Sequence, residues 1–376
     1  AAQPEGEVSD PQPEGEVSDP QPEGKVSDPQ PEGKVSTPQP ETALTALSGE
    51  GETPTASGAV TDVSTAADLT AAIANPDVNT VRLAANIDIS NTLTVNRPDV
   101  TLDLNGYTLT FGDTEFDNIF SVNEHGNLTV KDSGTGGKID GQNNNCGFSI
   151  NGGILTLKSG TIINCTTNGD GGAVDISDGG KFEMSGGAIT NCKTNDDSGA
   201  VDIGDGCTFI MNSGTISGCS VDDEAGAIFI KGNATFLMNG GTIENCSAGK
   251  NGGAVKMRST SRFTMNGGTI SSCTAQKGGG VYVDGSSTFT MNGGSIAKCT
   301  AVNGGNSVFV VKPSASFTMT DGTVDGSIRL SYSVGNNTVY MDGLGTKESP
   351  YEISTADQLK LFRDIVNGAN GQTQHT

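Results

Sequence analysis

The chain has 376 residues, a formal net charge of −23, 54 glycines and no tryptophan. This acidic balance argues against nucleic acid as a partner, because phosphates need a basic surface, and against an anionic membrane surface. No apolar run approaches the roughly 20 residues that cross a bilayer, so we expect no membrane insertion.

The N-terminal segment is a low-complexity repeat. Residues 4–39 contain four copies of a nine-residue unit, which first reads PEGEVSDPQ. Each copy has two prolines, one glycine and a single aliphatic residue, so the segment cannot bury enough apolar surface to offset its ordering entropy. We interpret residues 1–57 as a disordered stalk rich in proline and glutamate.

A short helix is predicted after this stalk. Thr65 and Asp68 match a capping box, and the pattern predicts a helix over residues 64–75 with Leu69 and Ile73 on one face. Alternating apolar residues then predict short β-strands, most clearly in VTLDLNGYTLTF at residues 100–111.

A longer repeat follows, with a period of about 27 residues. It is marked by a glycine that returns at a nearly constant step, at Gly160, Gly187, Gly214, Gly241, Gly268, Gly294 and Gly322. Phenylalanine and methionine precede this glycine by five and three positions in the six units from Gly187 to Gly322. Cysteine follows it by five in the six units from Gly160 to Gly294. An aliphatic residue follows it by two, and a Val-x-Ile-like pair lies earlier in the unit.

These phases predict three short strands per unit, with turns at the glycines and asparagines. Stacking the units would place each apolar position on its equivalent in the next unit. The predicted fold is all-β, a right-handed single-stranded parallel β-helix over residues 58–343 with one repeat unit per coil. We expect the helix at residues 64–75 to cap its open N-terminal end.

Cysteine occupies an interior position of the repeat, which predicts buried free thiols rather than disulfides. No Cys-x-x-Cys pair is present, and the sequence predicts neither a metal centre nor a cofactor. Acidic loops recur on successive coils at Asp170, residues 196–197 and residues 222–224. We interpret them as solvated loops, and calcium binding there remains open.

One outward position of the Val-x-Ile strand forms a column that we call the outer column. It contains the candidate ligand-binding residues Asp175, Asp202, Phe229, Lys256, Tyr282 and Phe309. Its aromatic half predicts exposed rings, spaced by coils, that can stack on sugars or anchor a protein.

The C-terminal segment repeats the earlier helix pattern. Thr355 and Gln358 predict the start of a helix with Leu359, Phe362 and Val366 on one face. The sequence ISTADQL at residues 353–359 echoes VSTAADL at residues 63–69. Residues 344–376 are therefore either a C-terminal cap or the start of a second solenoid.

The FxMN elements, as at Phe236–Asn239, and the GGAV-like elements, as at Gly252–Val255, resemble the repeats of chlamydial polymorphic outer-membrane adhesins. The segments VTLDLNGYTL and ESPYEISTADQL resemble large pectin-lyase-like surface proteins of gut anaerobes. The resemblance covers roughly residues 60–370. It implies a β-helix that is secreted or displayed on the bacterial surface.

The expected function is an extracellular adhesin-like module, without catalysis, that binds glycan or protein along the solenoid face. The alternative is a polysaccharide lyase or glycoside hydrolase of the pectin-lyase-like class. Asp175 and Asp202 supply carboxylates on adjacent coils for that alternative. Close similarity among the coils favours the adhesin, since an active site usually interrupts its repeat.

Overall fold

The structure is a computed structural model that describes residues 59–112, 118–334, 337–344 and 349–366. The predicted stalk at residues 1–57 lies outside the described residues. Within them, parallel strands stack into a right-handed β-solenoid with few helices. The predicted fold class is confirmed.

Sheet 1 carries the Phe-x-Met strands and their N-terminal equivalents. Numbered along the chain, its 11 strands among the described residues are β1 (Ala59–Val63), β2 (Val78–Leu83), β5 (Val100–Asp103), β8 (Asn127–Lys131), β11 (Ile154–Leu157), β15 (Lys181–Met184), β19 (Thr208–Met211), β23 (Thr235–Met238), β27 (Arg262–Met265), β31 (Thr288–Met291) and β35 (Ser316–Met319).

Sheet 2 carries the strands that follow the recurring glycine. Its ten strands in the described ranges are β3 (Ile87–Ile89), β6 (Thr108–Phe111), β9 (Lys138–Asp140), β12 (Thr161–Ile163), β16 (Ala188–Thr190), β20 (Thr215–Ser217), β24 (Thr242–Glu244), β28 (Thr269–Ser271), β32 (Ser295–Ala297) and β36 (Thr323–Val324).

Sheet 3 carries the Val-x-Ile strands. Its 11 strands in the part of the chain that the structure describes are β4 (Leu93–Val95), β7 (Asn118–Asn123), β10 (Cys146–Asn151), β14 (Val174–Ser177), β18 (Val201–Ile203), β22 (Ile228–Ile230), β26 (Val255–Met257), β30 (Val281–Val283), β34 (Val308–Lys312), β37 (Ile328–Val334) and β38 (Asn337–Asp342). The final pair, β37 and β38, is antiparallel.

A fourth strand, only two residues long, corrects the prediction of three strands per coil. It follows the repeat cysteine in six of the described coils and forms sheet 4. These strands are β13 (Thr166–Thr167), β17 (Lys193–Thr194), β21 (Ser220–Val221), β25 (Ser247–Ala248), β29 (Thr274–Ala275) and β33 (Thr300–Ala301). So short a run cannot show the alternation by which a strand is recognised in a sequence.

Equivalent residues of neighbouring coils lie side by side. Phe236 pairs in register with Phe263 in sheet 1, and their ring centroids are 4.7 Å apart in a stacked arrangement. The Phe ladder from Phe182 to Phe317 keeps centroid distances of 4.5 to 5.0 Å throughout. Ladders of methionine, isoleucine and valine complete one continuous core.

The recurring glycine has a conformational reason. Gly241 has a φ of 85°, which non-glycine residues rarely adopt. A β-carbon there would lie 2.8 Å from the carbonyl oxygen of Gly214 and 2.7 Å from Met211 Cε. Only glycine lets the chain turn this close to the preceding coil, which explains why the residue recurs at each coil.

All eight cysteines are buried thiols that form no disulfide with one another, as the sequence predicts. The thiol of each repeat cysteine donates to the carbonyl oxygen two positions earlier, as Cys246 does to Glu244 at 3.3 Å. The ladder is therefore a buried stack of thiols within the core.

Helix α1 (Ala66–Ala74) confirms the N-terminal helix. Thr65 is its N-cap, its side chain accepts a hydrogen bond from the Asp68 amide, and Leu69 and Ile73 are buried. The helix contacts β1–β4, the first strands of the solenoid. It therefore covers the end at which the stack begins.

Helix α2 (Ala356–Val366) forms as predicted, but with a different buried face. Gln358 and Thr355 make the reciprocal bonds of a capping box. Leu361 and Ile365 are buried in the solenoid core, whereas the predicted contact residue Leu359 is 59 % exposed. A different side of the helix is buried because α2 packs against β38. Gln358 Nε2 donates a hydrogen bond to the carbonyl oxygen of Tyr340 on that strand. Both alternatives for residues 344–376 remain predictions, and residues 367–376 lie outside the described residues.

Candidate ligand-binding face

The outer column exists in the predicted register on sheet 3. Each of its members pairs with the next across adjacent strands, and the sequence of pairs runs Asp175, Asp202, Phe229, Lys256, Tyr282 and Phe309. The period of the repeat was sufficient to align them.

The predicted exposure of the aromatic rings is wrong. Phe229 and Phe309 are 0 % and 1 % exposed, and Tyr282 is 8 % exposed. Asp202 and Lys256 are buried as well, and only Asp175 is partly exposed.

The loop before each strand of sheet 3 covers the column. A β-carbon on Gly252 would lie 2.9 Å from Lys256 Cβ, and one on Gly305 would lie 2.8 Å from Phe309 Cβ. The small residues of the GGA-aliphatic motif therefore let the backbone fold back over the outward side chains.

Acidic residues of these loops face the column. Asp170, Asp197 and Glu224 occupy the same position in three successive repeat units, and we call them the loop ladder. Isolated parallel bridges hold the neighbouring backbone of successive loops in register, as between Ser198 and Ala225. The loop ladder thus places one carboxylate per coil above sheet 3.

Lys231 is the centre of a carboxylate cluster. Its Nζ lies 2.6 Å from Asp197 Oδ2 and 3.1 Å from both Asp170 Oδ2 and Asp202 Oδ2. Lys231 follows β22 and reaches back over two coils to Asp170. These acidic loop residues are therefore paired with lysine rather than simply solvated.

Burial acts on the pKa of Asp202, Asp175 and Lys231. It raises the pKa of Asp202 well above its ordinary value, although Lys231 opposes the shift. Burial also raises the pKa of Asp175, and the charge of Asp170 adds to that effect. For Lys231 burial acts to lower the pKa, but the carboxylates of Asp202 and Asp197 outweigh it and raise the pKa.

Lys256 lies between two rings of the same column. Its Nζ is 5.1 Å from the centroid of Phe229 and 5.8 Å from that of Tyr282, and it forms an ion pair with Glu224. Burial and the neighbouring Arg258 lower the pKa of Lys256 to about 8. Contact with the Glu224 carboxylate favours the charged form and opposes that shift.

Two further cations lie over the rings from the solvent side. Arg258 Cζ is 5.4 Å from the Phe229 centroid, and Lys277 Nζ is 5.5 Å from the Phe309 centroid. Arg258 is exposed and Lys277 is half-buried. The face therefore presents two accessible cations over its rings, in addition to the partly exposed carboxylates of Asp170 and Asp175.

The cluster has some of the features of a cation site. One carboxylate oxygen each from Asp170, Asp175 and Asp202 lies within 4.8 Å of the others. Calcium–oxygen distances of about 2.3–2.6 Å would bridge such a separation. The Lys231 ammonium, however, already contacts two of these three carboxylates and supplies a positive charge there.

The sequence prediction missed Lys231, Arg258 and Lys277. Lys231 and Arg258 are one repeat unit apart, directly after β22 and β26, so the repeat itself places them in one column. Lys277 is the equivalent of Asn251 in the next coil, and the two residues form an isolated parallel β-bridge. Tracing polar as well as apolar repeat positions would have found all three.

Residues 60–170 match the family model described as "Putative pectate lyase-like adhesive domain". No curated protein and no solved structure matches the chain. The matched range covers under a third of the sequence and ends at Asp170, so the outer column lies beyond it. Together with the stacked parallel sheets, the match fits a pectin-lyase-like β-helix surface protein. Neither helix in the described ranges has the length and apolar character of a membrane span.

Proposed function

We propose that the chain is an extracellular, non-catalytic adhesin-like module of a bacterial surface, which binds glycan or protein along the face of sheet 3. Similarity of its first coils to an adhesive domain supports an adhesin-like or pectate lyase-like β-helix. The stacked coils give a rigid support on which side chains of successive coils keep fixed spacing.

One observation carries the choice of face. Arg258 and Lys277 remain accessible while they lie over buried rings, within a chain of net charge −23. Guanidinium and ammonium groups held in this way can donate to carboxylate, sulfate or hydroxyl groups of a ligand. The outer column beneath them then acts as a support for these cations.

Binding to glycan arrays and to host-cell surfaces tests the proposal. We expect Arg258→Ala and Lys277→Ala each to weaken binding roughly tenfold, the effect of losing about 1.4 kcal/mol. Arg262→Ala is the matched control for Arg258, because Arg262 is also exposed on the same coil but belongs to sheet 1. Equal losses in all three variants would contradict the assignment of this face.

A second candidate function is cleavage of acidic polysaccharide. The close carboxylates of Asp170, Asp175 and Asp202, beside Lys231 and Arg258, favour it because a lyase needs carboxylates near a basic group. Turnover of pectic or other acidic polysaccharides that disappears in Asp175→Ala and Asp202→Ala would establish this activity. Under our proposal the wild-type chain shows no turnover.

A further inference from the structure

Lys256 and Glu224 form the most enclosed ion pair of the described residues. The Lys256 side chain is 3 % exposed, the Glu224 side chain is 14 % exposed, and Nζ contacts Oε2. No other donor in the described part of the chain hydrogen-bonds to this carboxylate oxygen. The two groups therefore face each other without competition from neighbouring side chains.

Burial disfavours charge on this pair, because little water reaches either group, although the faces of two rings attract the ammonium form. Nζ lies between the rings of Phe229 and Tyr282, and the loop backbone at Gly252 approaches the Lys256 side chain from outside. In such an environment the transfer of one proton, from ammonium to carboxylate, converts two buried ions into a neutral amine and a carboxylic acid. Those are the two reactants of an amide condensation.

We propose that Lys256 and Glu224 are joined by an intramolecular isopeptide bond between neighbouring coils. The neutral Nζ attacks Cδ of the protonated Glu224 carboxyl group and forms the new C–N bond. The carboxyl hydroxyl group leaves with a proton from nitrogen, so one water molecule is released. The condensation is neither an oxidation nor a reduction, and it consumes no other reactant.

Lys231 provides the contrast within the same face. It contacts three carboxylates rather than one, and its side chain is 21 % exposed. Those carboxylates raise its pKa, whereas burial and Arg258 lower that of Lys256. Lys231 therefore keeps its proton and is not a nucleophile, although it lies close to carboxylates.

The bond would connect the loop before β22 to strand β26 of the next coil. This link is independent of any ligand of the face and goes beyond the proposed function. It would hold two successive coils together when the solenoid is pulled or partly unfolded. Such a link suits a module that bears load at a surface.

Mass spectrometry of the purified full chain tests the bond directly. We expect the intact mass to be lower than the sequence mass by one water molecule. After denaturation and digestion with trypsin, residues 194–231 should be recovered joined to residues 251–258, because Lys256 is no longer a cleavage site. Lys231 should be cleaved normally and is the internal control.

Variants locate the bond. Lys256→Arg and Glu224→Ala should both have their full sequence mass, whereas Lys231→Arg should retain the loss of water. A wild-type chain of full sequence mass would overturn the proposal. So would the same loss of water in Glu224→Ala, because the bond would then involve another residue.

Discussion

The two faces of the strands in sheets 1 and 3 follow different rules. On the inner face, each side chain packs against the same residue type in the neighbouring coils, as in the ladder from Phe182 to Phe317. On the outer face, the six coils of the outer column carry aspartate, aromatic or lysine side chains. The interior needs only shape and apolarity, which a repeat supplies, whereas the outer column depends on pairing between unlike groups of different coils.

The strongest way to break the interior rule is Phe236→Ala. The ring is fully buried between two stacked neighbours, so its removal leaves a cavity and should lower the free energy of unfolding by about 3–5 kcal/mol. Leu237→Ala on the same strand faces outward and should cost about 1 kcal/mol. Urea unfolding followed by circular dichroism measures both, and equal losses would contradict the described interior.

Lys231→Ala tests whether pairing between unlike groups of different coils stabilises the outer face. Without the ammonium, Asp170, Asp197 and Asp202 repel one another, and we expect a loss of about 1–3 kcal/mol, reduced by the partial exposure of the cluster. Calcium should raise the melting temperature of this variant and leave the wild type unchanged. Lys250→Ala, at the exposed pair with Asp223, is the control with a small effect. A wild type that responds to calcium as strongly as the variant would contradict the role given to Lys231.

The exposed amide ladder lies between these two cases. Asn212, Asn239, Asn266 and Asn292 stack on the surface, and each amide after the first donates to the preceding one at 2.8 to 3.0 Å. Asn266→Asp removes a donor and places a carboxylate against the Asn239 oxygen, so we expect a loss of about 1 kcal/mol. Asn195→Asp, at an exposed amide pair outside this ladder, is the comparison. An unchanged urea midpoint would show that like-on-like stacking matters only in the interior.

The smallest expected effect is a gain in stability, on removal of the Asp175 carboxylate. The folded state raises the pKa of Asp175, so between its ordinary value and the raised one the folded chain binds more protons than the unfolded chain. Stability contributed by this group is therefore lost as pH rises through that interval. Asp175→Asn should remove this dependence and add roughly 0.5–1 kcal/mol near pH 7. Urea midpoints at about pH 4 and about pH 7 measure it, and a variant less stable than wild type at the higher pH would contradict the raised pKa.

Interior positions were predictable because the same residue type recurs at the same position of successive units, which indicates that all these residues share one environment. Phe236 and Cys246 each reveal their neighbours by repetition alone. The helix at Thr65 was predictable from its cap, which is a local interaction.

The outer surroundings were not predictable in the same way. The exposure of Phe229 depends on how closely the covering loops approach the column. Glycines such as Gly252 and Gly305 permit that close approach, and the composition of a loop alone does not reveal its path. The contact of Lys231 with Asp170 joins positions two coils apart, so no local pattern contains it. The buried face of α2 was mispredicted because β38, rather than helix periodicity, decides which side is covered.

The nearly constant step between recurring glycines has a genetic consequence. In the regular part of the solenoid, strands pair only with those one unit before or after, so an extra unit in phase would find matching neighbours on both sides. Gene duplication or deletion in multiples of one unit can therefore change reach by about 4.8 Å at a time while folding is preserved.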